Sequence, residues 1–147
     1  MEKRISWDEY FTEIAELVSK RSTCRRQVGA VITKDNVIVS TGYNGSPRGE
    51  VNCCDTGFCK RADLGIAHNT PSYANDCHSV HAEQNALLSA ARRETIGATL
   101  YLYGEEFDDS SGEWKSFDAV ACPLCQRMIQ NSGIERIVNQ RGESKCL

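Results

Sequence analysis

Apolar residues near the start of the chain recur every three or four positions, which is the pattern of one face of a helix. They fall at Trp7, Tyr10, Phe11, Ile14, Leu17 and Val18. Ser6 precedes them, and Glu9 follows Ser6 by three residues, which is the spacing of a capping box. We therefore predict an amphipathic first helix that begins after Ser6, ends near Arg21 and turns its aromatic stripe towards the core.

Four short runs rich in β-branched and aliphatic residues predict strands. They cover residues 28–33, 37–41, 98–103 and 134–138, with a turn at 34–36 between the first two. Two further helices are predicted at 82–93 and 122–132, and Gly133 is placed to end the second of them. A hairpin followed by strand–helix–strand units predicts an antiparallel edge beside a parallel pair. The expected fold is α/β, a three-layer α/β/α sandwich with a mixed central sheet.

Two polar stretches, 42–77 and 104–120, lack any periodicity. A loop as long as the first is uncommon unless it is functional or internally tied down. Each stretch is followed by one of the last two predicted helices, and each of these helices carries unusual residues in its first turn. A site is therefore expected where these two helices begin.

Composition indicates one globular domain over residues 1–147, with a cysteine-containing insert at about 44–77. The chain has 40% hydrophobic and 25% charged residues and a net charge of −3. A mildly acidic chain is a poor candidate for binding duplex nucleic acid through counterion release. No stretch approaches the roughly 18 apolar residues of a membrane span, and the first residues turn acidic where a signal peptide needs an apolar run. We expect a cytoplasmic protein with no membrane partner and no stable nucleic-acid partner.

Cysteine is the unusual component of this composition. The chain has eight cysteines and three histidines, and a cytosolic protein uses such residues for metal binding or chemistry more often than for disulfides. The histidines are His68, His78 and His81, of which His68 shows no partner pattern. Only Cys122 and Cys125 have the x-x spacing of a metal-binding pair.

His81, Cys122 and Cys125 form a ligand set of the kind that catalytic zinc uses, with three protein ligands and a fourth position for water. Helix residues three apart face the same way, and the positive end of a helix lowers the pKa of thiols there. Zinc lowers the pKa of its water to about 7. Glu83 is poorly placed to share the metal with His81, but it can hydrogen-bond the water and carry its proton. It is the candidate general acid/base.

Each half of this pattern is weak evidence alone. A Cys-x-x-Cys pair also occurs in redox sites and in structural zinc knuckles, and a lone His-x-Glu is weaker still. Together and in this order, each opening a helix, the two halves match the His-x-Glu and Pro-Cys-x-x-Cys signature of zinc nucleobase deaminases.

Over nearly its whole length the chain resembles the deoxycytidylate deaminases of the cytidine deaminase superfamily. Residues 81–86 are typical of the superfamily, and residues 22–32 and 131–136 also match. The Gly-Tyr-Asn-Gly-x-Pro-x-Gly stretch at 42–49, with the cysteine-bearing insert after it, is similar to the deoxycytidylate branch in particular. The resemblance implies hydrolysis of dCMP to dUMP and ammonia. In that reaction zinc-activated water attacks C4 of cytosine, and Glu83 protonates N3 and then the departing amine.

The resemblance also implies contacts with the substrate. The residue matching Asn44 contacts the nucleotide and the backbone of Ala82 contributes to the base pocket, although Asn44 and Gly45 also fit a simple turn. A monophosphate carries about −1.5 to −2 charges near neutral pH, so a nucleotide enzyme needs donors for it. Arg26, Arg48 and the backbone amides of 45–49 are the candidates.

Two departures from the family pattern lie near the expected site. Ala121 stands directly before Cys122, where the family usually has Pro, but this residue is not a ligand. Tyr103 stands where the family usually has Thr, and it is a further candidate for substrate binding. The acidic stretch 104–120 then intervenes. It either alters which nucleotide is accepted or is a solvated insertion.

Some deaminases similar to this chain hold a second, structural zinc. For this site the resemblance suggests Cys24, Cys53, Cys59 and Cys77, with Cys54 and His78 as alternates. The physical motive is the long irregular stretch, which has little apolar sequence to hold it. The alternative is a set of buried free thiols.

The resemblance further implies a homo-oligomer, a hexamer in many relatives, with dCTP and dTTP as candidate effectors and Mg²⁺ accompanying such a nucleotide. Two other functions stay open. One is a deaminase of another cytosine nucleotide, a nucleoside, a tRNA base or a nonstandard pyrimidine, which a substrate screen by ammonia release would separate. The other is a zinc-stabilised binding module without turnover, in which Glu83 would have no purpose.

Overall fold

The computed structural model describes residues 1, 3–67, 70, 76–142 and 144–146, so His68 lies outside the described residues. The first half of the chain contains α1 (Trp7–Ser19), β1 (Arg26–Lys34), β2 (Val37–Tyr43), α2 (Cys53–Thr56) and α3 (Lys60–Asp63). The second half contains α4 (Ala82–Leu88), α5 (Arg92–Thr95), β3 (Thr99–Asp108), β4 (Glu113–Ser116), α6 (Pro123–Ser132), β5 (Arg136–Asn139) and β6 (Ser144–Cys146). None of the helices in the described ranges has both the length and the apolar character needed to cross a membrane.

The strands form one mixed sheet in the order β2-β1-β3-β5-β6, with β4 paired to the far end of β3. β1 pairs antiparallel with both β2 and β3, whereas β3 and β5 are parallel. The predicted antiparallel edge and parallel pair are therefore confirmed. The tail, interpreted from sequence only as polar, contributes β6, which pairs antiparallel with β5.

Alternation along β1 divides the apolar core into two layers. Val31 packs with Phe11 and Ala15 of α1 on one face of the sheet. Ala30 and Ile32 point to the other face, where they join a cluster formed with α4 and α6. Successive side chains of a strand point to opposite faces, so this division is the direct consequence of the strand period. The three-layer sandwich is confirmed.

Two glycines let the helices of the two outer layers approach the sheet. A Cβ at Gly29 would lie 2.0 Å from the carbonyl oxygen of Ala15 in α1. A Cβ at Gly42 would lie 2.4 Å from the carbonyl oxygen of Ala82 and 2.4 Å from the amide nitrogen of Ala86 in α4. Both distances are shorter than atoms tolerate, so each helix sits at a depth that only glycine permits.

The first helix begins as the sequence predicts, because Ser6 and Glu9 form the reciprocal capping box. The prediction that its aromatic stripe faces the core is wrong in part, since Phe11 is buried but Trp7 and Tyr10 are exposed. The helix predicted over 82–93 is interrupted instead. α4 ends at Leu88, and α5 begins again after Ala91, whose amide donates to Glu94 Oε1 at 3.0 Å. This local cap at Ala91 competes with the continuation of α4. The alanine-rich composition of the segment gives no sign of it.

The two polar stretches contain more regular structure than the sequence suggested. The stretch 42–77 includes the short helices α2 and α3. The prediction of a loop over 104–120 is wrong, because β3 continues to Asp108 and pairs with β4 to form a hairpin. Its polar and charged side chains hide the strand pattern, since much of this ribbon is exposed on both faces.

The depth of α4 generates a stability prediction. Gly42→Ala places a methyl group against the α4 backbone, and we expect it to lower the free energy of unfolding by about 1–3 kcal/mol. Thr41→Ala on the exposed side of the same strand is the matched control, with a change below about 1 kcal/mol. Chemical denaturation of both variants measures the difference. Equal stability of the two variants would contradict the close approach of α4 to β2.

Candidate functional site

Three predicted ligand atoms meet on the face of the sheet that carries α4 and α6. His81 Nδ1 lies 3.3 Å from Cys125 Sγ and 3.6 Å from Cys122 Sγ. All three atoms lie within 4.8 Å of one another. Residues separated by about forty positions in the sequence are thus brought to one point, as the sequence predicts.

Helix starts hold these side chains in place. His81 is the N-cap of α4, and its backbone amide donates to Gln84 Oε1 at 2.8 Å. Just before it, Val80 and Gly45 exchange two backbone hydrogen bonds of 2.7 and 3.2 Å, which fix the approach to the helix. Cys122 is the N-cap of α6, and its sulfur accepts from the backbone amide of Cys125 at 3.4 Å.

The geometry and chemistry of this trio fit zinc. A sulfur bound to zinc at about 2.3 Å and a nitrogen bound at about 2.0 Å, at a tetrahedral angle, lie about 3.5 Å apart. The two sulfur–nitrogen distances in the site are close to this value. Burial raises the pKa of the Cys125 thiol, so its thiolate requires a positive partner. A divalent metal supplies that partner, and one nitrogen with two sulfurs is the donor set of a catalytic zinc site with an open fourth position.

Glu83 is a buried carboxyl in the first turn of α4, with 6% of its surface exposed. Burial raises its pKa, against the opposing influence of a hydrogen bond with Cys125 and of the His81 charge. A carboxyl whose pKa is raised is suited to hold and release a proton near neutral pH. Its placement beside the ligand trio is what the sequence predicts for a general acid/base.

A cleft of about 600 Å³, counting its open mouth, gives access to this group. The cleft is lined by Arg26, Val28, Asn44, Ser79, His81, Ala82, Glu83, Phe117, Ala119, Val120 and Cys122. Three predicted substrate-binding residues, Arg26, Asn44 and Ala82, therefore line the same cleft as the ligands.

The Asn44 side chain is held in one orientation by the chain itself. Its Oδ1 accepts from the Val28 amide at 2.8 Å and from the Ser22 hydroxyl at 2.7 Å. Its Nδ2 donates to the Arg26 carbonyl at 2.7 Å. Two donors to Oδ1 exclude the flipped amide, and one N–H of Nδ2 is left for another acceptor. Asn44 thus joins β1 to the end of β2 and also presents a donor at the cleft.

Arg26 reaches the cleft from the start of β1. Its Nη1 donates to Glu106 Oε2 at 3.0 Å, and its guanidinium carbon lies 3.7 Å from the centre of the Phe117 ring. Arg48 lies elsewhere. It is exposed in the turn after β2 and is not among the residues that line the cleft.

Tyr103 is a correction to the sequence-based set. Odd-numbered residues of β3 point to the α1 face, where Tyr103 packs beside Val31 and Tyr101. Its hydroxyl donates to Glu105 Oε1, and it lies across the sheet from the ligand trio. Gly104, one residue on, faces the cleft side, where a Cβ would lie 2.4 Å from the Phe117 ring. Because successive side chains of a strand point to opposite faces, Gly104 borders the site and Tyr103 does not.

A second pocket adjoins the cleft and shares Arg26, Asn44 and Ser79 with it. Its lining also contains the four predicted ligands of a second zinc, Cys24, Cys53, Cys59 and Cys77, together with the alternate His78. Cys54 is exposed. Within the described ranges, only the His81 trio has ligand atoms gathered within 4.8 Å. The thiols of the second pocket line a common space without such close contact.

Sequence reasoning missed Glu106, Phe117 and Ser79 as residues of this region. Glu106 and Phe117 belong to the stretch interpreted as a loop, so the face to which each points was not assigned. A strand continued through 104–108 in register with β1 would have placed Glu106 opposite Arg26. Ser79 gives no recognisable signal in the sequence.

Comparisons with known proteins agree with this geometry. A family model described as the cytidine and deoxycytidylate deaminase zinc-binding region matches residues 5–140. The deoxycytidylate deaminase of Mycobacterium phage D29 is 41% identical over 139 residues, which cover 92% of this chain and 94% of that protein. The deoxycytidylate deaminase of Schizosaccharomyces pombe is 39% identical over 136 residues, and there the chain spans only 37% of the relative's length.

Solved structures give the same result. The dCMP deaminase of cyanophage S-TIM5, in complex with dCMP and dUMP, matches with a TM-score of 0.59 and 25% identity over 94% of this chain and 83% of that one. A cytidine deaminase from Burkholderia pseudomallei matches with a TM-score of 0.55 and 17% identity over 95% of this chain and 90% of that one, which shows the shared fold. The resemblance found in the sequence is confirmed.

Proposed function

Because the chain belongs to the cytidine and deoxycytidylate deaminase zinc-binding family, we propose that it hydrolyses dCMP to dUMP and ammonia. The observation that carries the proposal is the cleft in which the His81, Cys122 and Cys125 ligand atoms lie beside the buried Glu83. A binding module without turnover has no use for a buried carboxyl next to an open metal position, and its burial is costly.

The residues of the cleft divide the chemistry between them. His81, Cys122 and Cys125 would hold zinc, which supplies a Lewis acid and lowers the pKa of a water to about 7. Glu83, with its raised pKa, accepts a proton from the water whose oxygen adds to C4 and delivers it to N3 of the cytosine ring. It then takes the remaining proton of that oxygen and transfers it to the amine as the C4–N bond breaks. The buried Ala82 and the nearby Ala119 form apolar walls that keep bulk water from the base.

The choice of dCMP rests on relatives and on charge. Relatives that cover nine-tenths of this chain carry the name deoxycytidylate deaminase, and a structural neighbour was solved with dCMP and dUMP. On the cleft side, Arg26 offers a guanidinium suited to a phosphate monoester, and Asn44 offers an amide N–H for a sugar or phosphate oxygen. Arg48, exposed outside the cleft, is left out of this proposal.

The substrate prediction follows from these donors. We expect the value of kcat/KM for dCMP to exceed that for deoxycytidine by about 10- to 100-fold, since a hydrogen bond to a charged phosphate contributes about 1.5–3 kcal/mol. CMP should also be a poorer substrate than dCMP. Ammonia release measured with the three compounds tests the proposal. Similar kcat/KM values for dCMP and deoxycytidine would contradict a phosphate site and favour another branch of the superfamily.

A second, structural zinc is the finer part of the proposal. The four predicted ligands line one pocket, in which Cys24 follows α1, Cys53 begins α2, Cys59 precedes α3 and Cys77 precedes α4. The four sulfurs would have to move to reach tetrahedral distances, because only the His81 trio is gathered so closely among the residues described. A metal would tie together short helices that contain no buried residue of their own.

Metal analysis tests this second site. We expect about two zinc ions per chain in the purified protein and about one in a Cys24→Ser/Cys77→Ser double variant. Cys54→Ser, which changes an exposed thiol of the same helix that contains Cys53, is the matched control and should keep both ions. One zinc per chain in all three proteins would identify the four cysteines as ordinary thiols.

Other expectations from the sequence and from the resemblance stay predictions. These are a single domain over residues 1–147, a homo-oligomer, dCTP and dTTP as effectors with Mg²⁺, and a cytoplasmic location. They are independent of the cleft chemistry, so their outcome leaves the proposed reaction unchanged.

A further inference from the structure

The hairpin formed by β3 and β4 contributes two side chains that hold Arg26 at the cleft. Arg26 is directly opposite Glu106 in the β1–β3 register, and both point to the face that carries the ligand trio. Phe117 follows the last residue of β4 and lines the cleft. The stretch that departs most from the family pattern is therefore the one that contacts this arginine.

Two contacts fix the guanidinium in two directions. Glu106 Oε2 accepts a hydrogen bond from Arg26 Nη1 at 3.0 Å, and this bond fixes how the guanidinium is rotated within its own plane. The Phe117 ring, with its centre 3.7 Å from the guanidinium carbon, supports one face of the plane. In the described residues, Nε and Nη2 of Arg26 make no hydrogen bond, so donors of a planar fork are presented in a fixed orientation.

Contacts with Gly104 hold Phe117 in place. Its amide donates to the Gly104 carbonyl at 3.1 Å, and its ring occupies the space that a Cβ at position 104 would fill. The amide of Gln140 brackets Gly104, with hydrogen bonds of 3.0 Å to its N–H and 2.9 Å to its carbonyl. The ring is thus held between the sheet and the guanidinium.

Arg26 shares its carboxylate partner with a second arginine. Glu106 also faces Arg61, whose Nη2 lies 3.9 Å from Glu106 Oε1 and whose side chain is only 11% exposed. One carboxylate is shared by two guanidiniums, so the three groups together carry one positive charge. A phosphate dianion is then attracted, although Glu106 alone would repel it.

We propose that Glu106 and Phe117 are positioning residues that aim Arg26 at the 5′-phosphate of the nucleotide, and that the hairpin thereby sets the preference for nucleotide over nucleoside. The inference rests on the proposed function for the identity of the ligand. Positioning lowers the cost of ordering the arginine side chain when the phosphate binds.

Titration calorimetry with dUMP and deoxyuridine, neither of which can be deaminated, tests the inference on the zinc-loaded protein. We expect Glu106→Ala to lower the ratio of dUMP affinity to deoxyuridine affinity by about tenfold, the scale of one misaligned charge-assisted hydrogen bond. Glu106→Gln keeps an acceptor for Nη1 and should hold the ratio at the wild-type value or above it. Glu113→Ala, an exposed carboxylate of the same hairpin, is the matched control and should leave the ratio unchanged.

Whether the ratio of dUMP affinity to deoxyuridine affinity falls or rises separates positioning of Arg26 from simple neutralisation of its charge. If Glu106 only cancelled the charge of Arg26, both Glu106→Ala and Glu106→Gln would raise the dUMP ratio, and this result would overturn the inference. A further check is that Glu106→Ala causes no additional loss in an Arg26→Ala background, because the two residues act through one contact. Additive losses would also overturn it.

Phe117→Leu provides a second variant that keeps an apolar side chain on Gly104 but removes the ring. We expect this variant, like Glu106→Ala, to lower the ratio of dUMP affinity to deoxyuridine affinity. A wild-type protein that binds dUMP no better than deoxyuridine contradicts the inference whatever reaction it catalyses. A protein that prefers dUMP but does not deaminate dCMP contradicts the proposed function alone.

Discussion

The meeting of two helix starts above the sheet is the constraint on which the site depends. His81 and Cys122 are both N-cap residues, so their side chains extend from the first turns of α4 and α6 rather than from the helix flanks. Gly42 sets the depth of α4 by allowing its backbone to rest on β2. Ser40 and Asn85 reinforce that contact, with hydrogen bonds of 2.7 Å to the Ala86 carbonyl and 2.8 Å to the Tyr43 carbonyl. A shift of α4 would therefore move His81 and Glu83 together.

The same arrangement buries the Glu83 carboxyl and the Cys125 thiol side by side, next to the half-buried Cys122. Around them lie small apolar residues such as Ala82, Ala119 and Ala121, which leave room for a ligand but exclude most solvent. Burial raises the pKa of both Glu83 and Cys125, and a bound cation offsets the cost for the thiolate. The burial that disfavours the charged forms of Glu83 and Cys125 also suits the site to a metal and to proton transfer.

Local signals in the sequence predicted the elements whose caps and periods are strong. Ser6 and Glu9 gave the start of α1, and the two halves of the ligand signature marked the starts of α4 and α6. The hairpin at 104–120 escaped prediction because β4 is short and exposed, because the end of β3 is mostly polar and only half-buried, and because the pairing of β3 depends on β1 rather than on a local pattern. Tyr103 is incorrectly predicted to bind substrate for a similar reason. Its position in the family pattern does not reveal which face of β3 its side chain occupies. The acidic residues of this hairpin pair with basic residues such as Arg25, which is 2.5 Å from Asp109. Phe117, which directly follows β4, lines the cleft, so the stretch borders the site.

The most direct test of the account compares the zinc content and the dCMP turnover of two variants. Glu83→Gln should keep zinc at the wild-type level and lose turnover by about 10²–10⁴-fold, the contribution of a general acid/base. His81→Ala should lose one zinc ion and turnover together, and Leu124→Ala, an exposed residue between the two cysteines, should lose neither. Loss of zinc in Glu83→Gln would make Glu83 a ligand and contradict its assigned role, and full activity in His81→Ala would contradict the metal site itself.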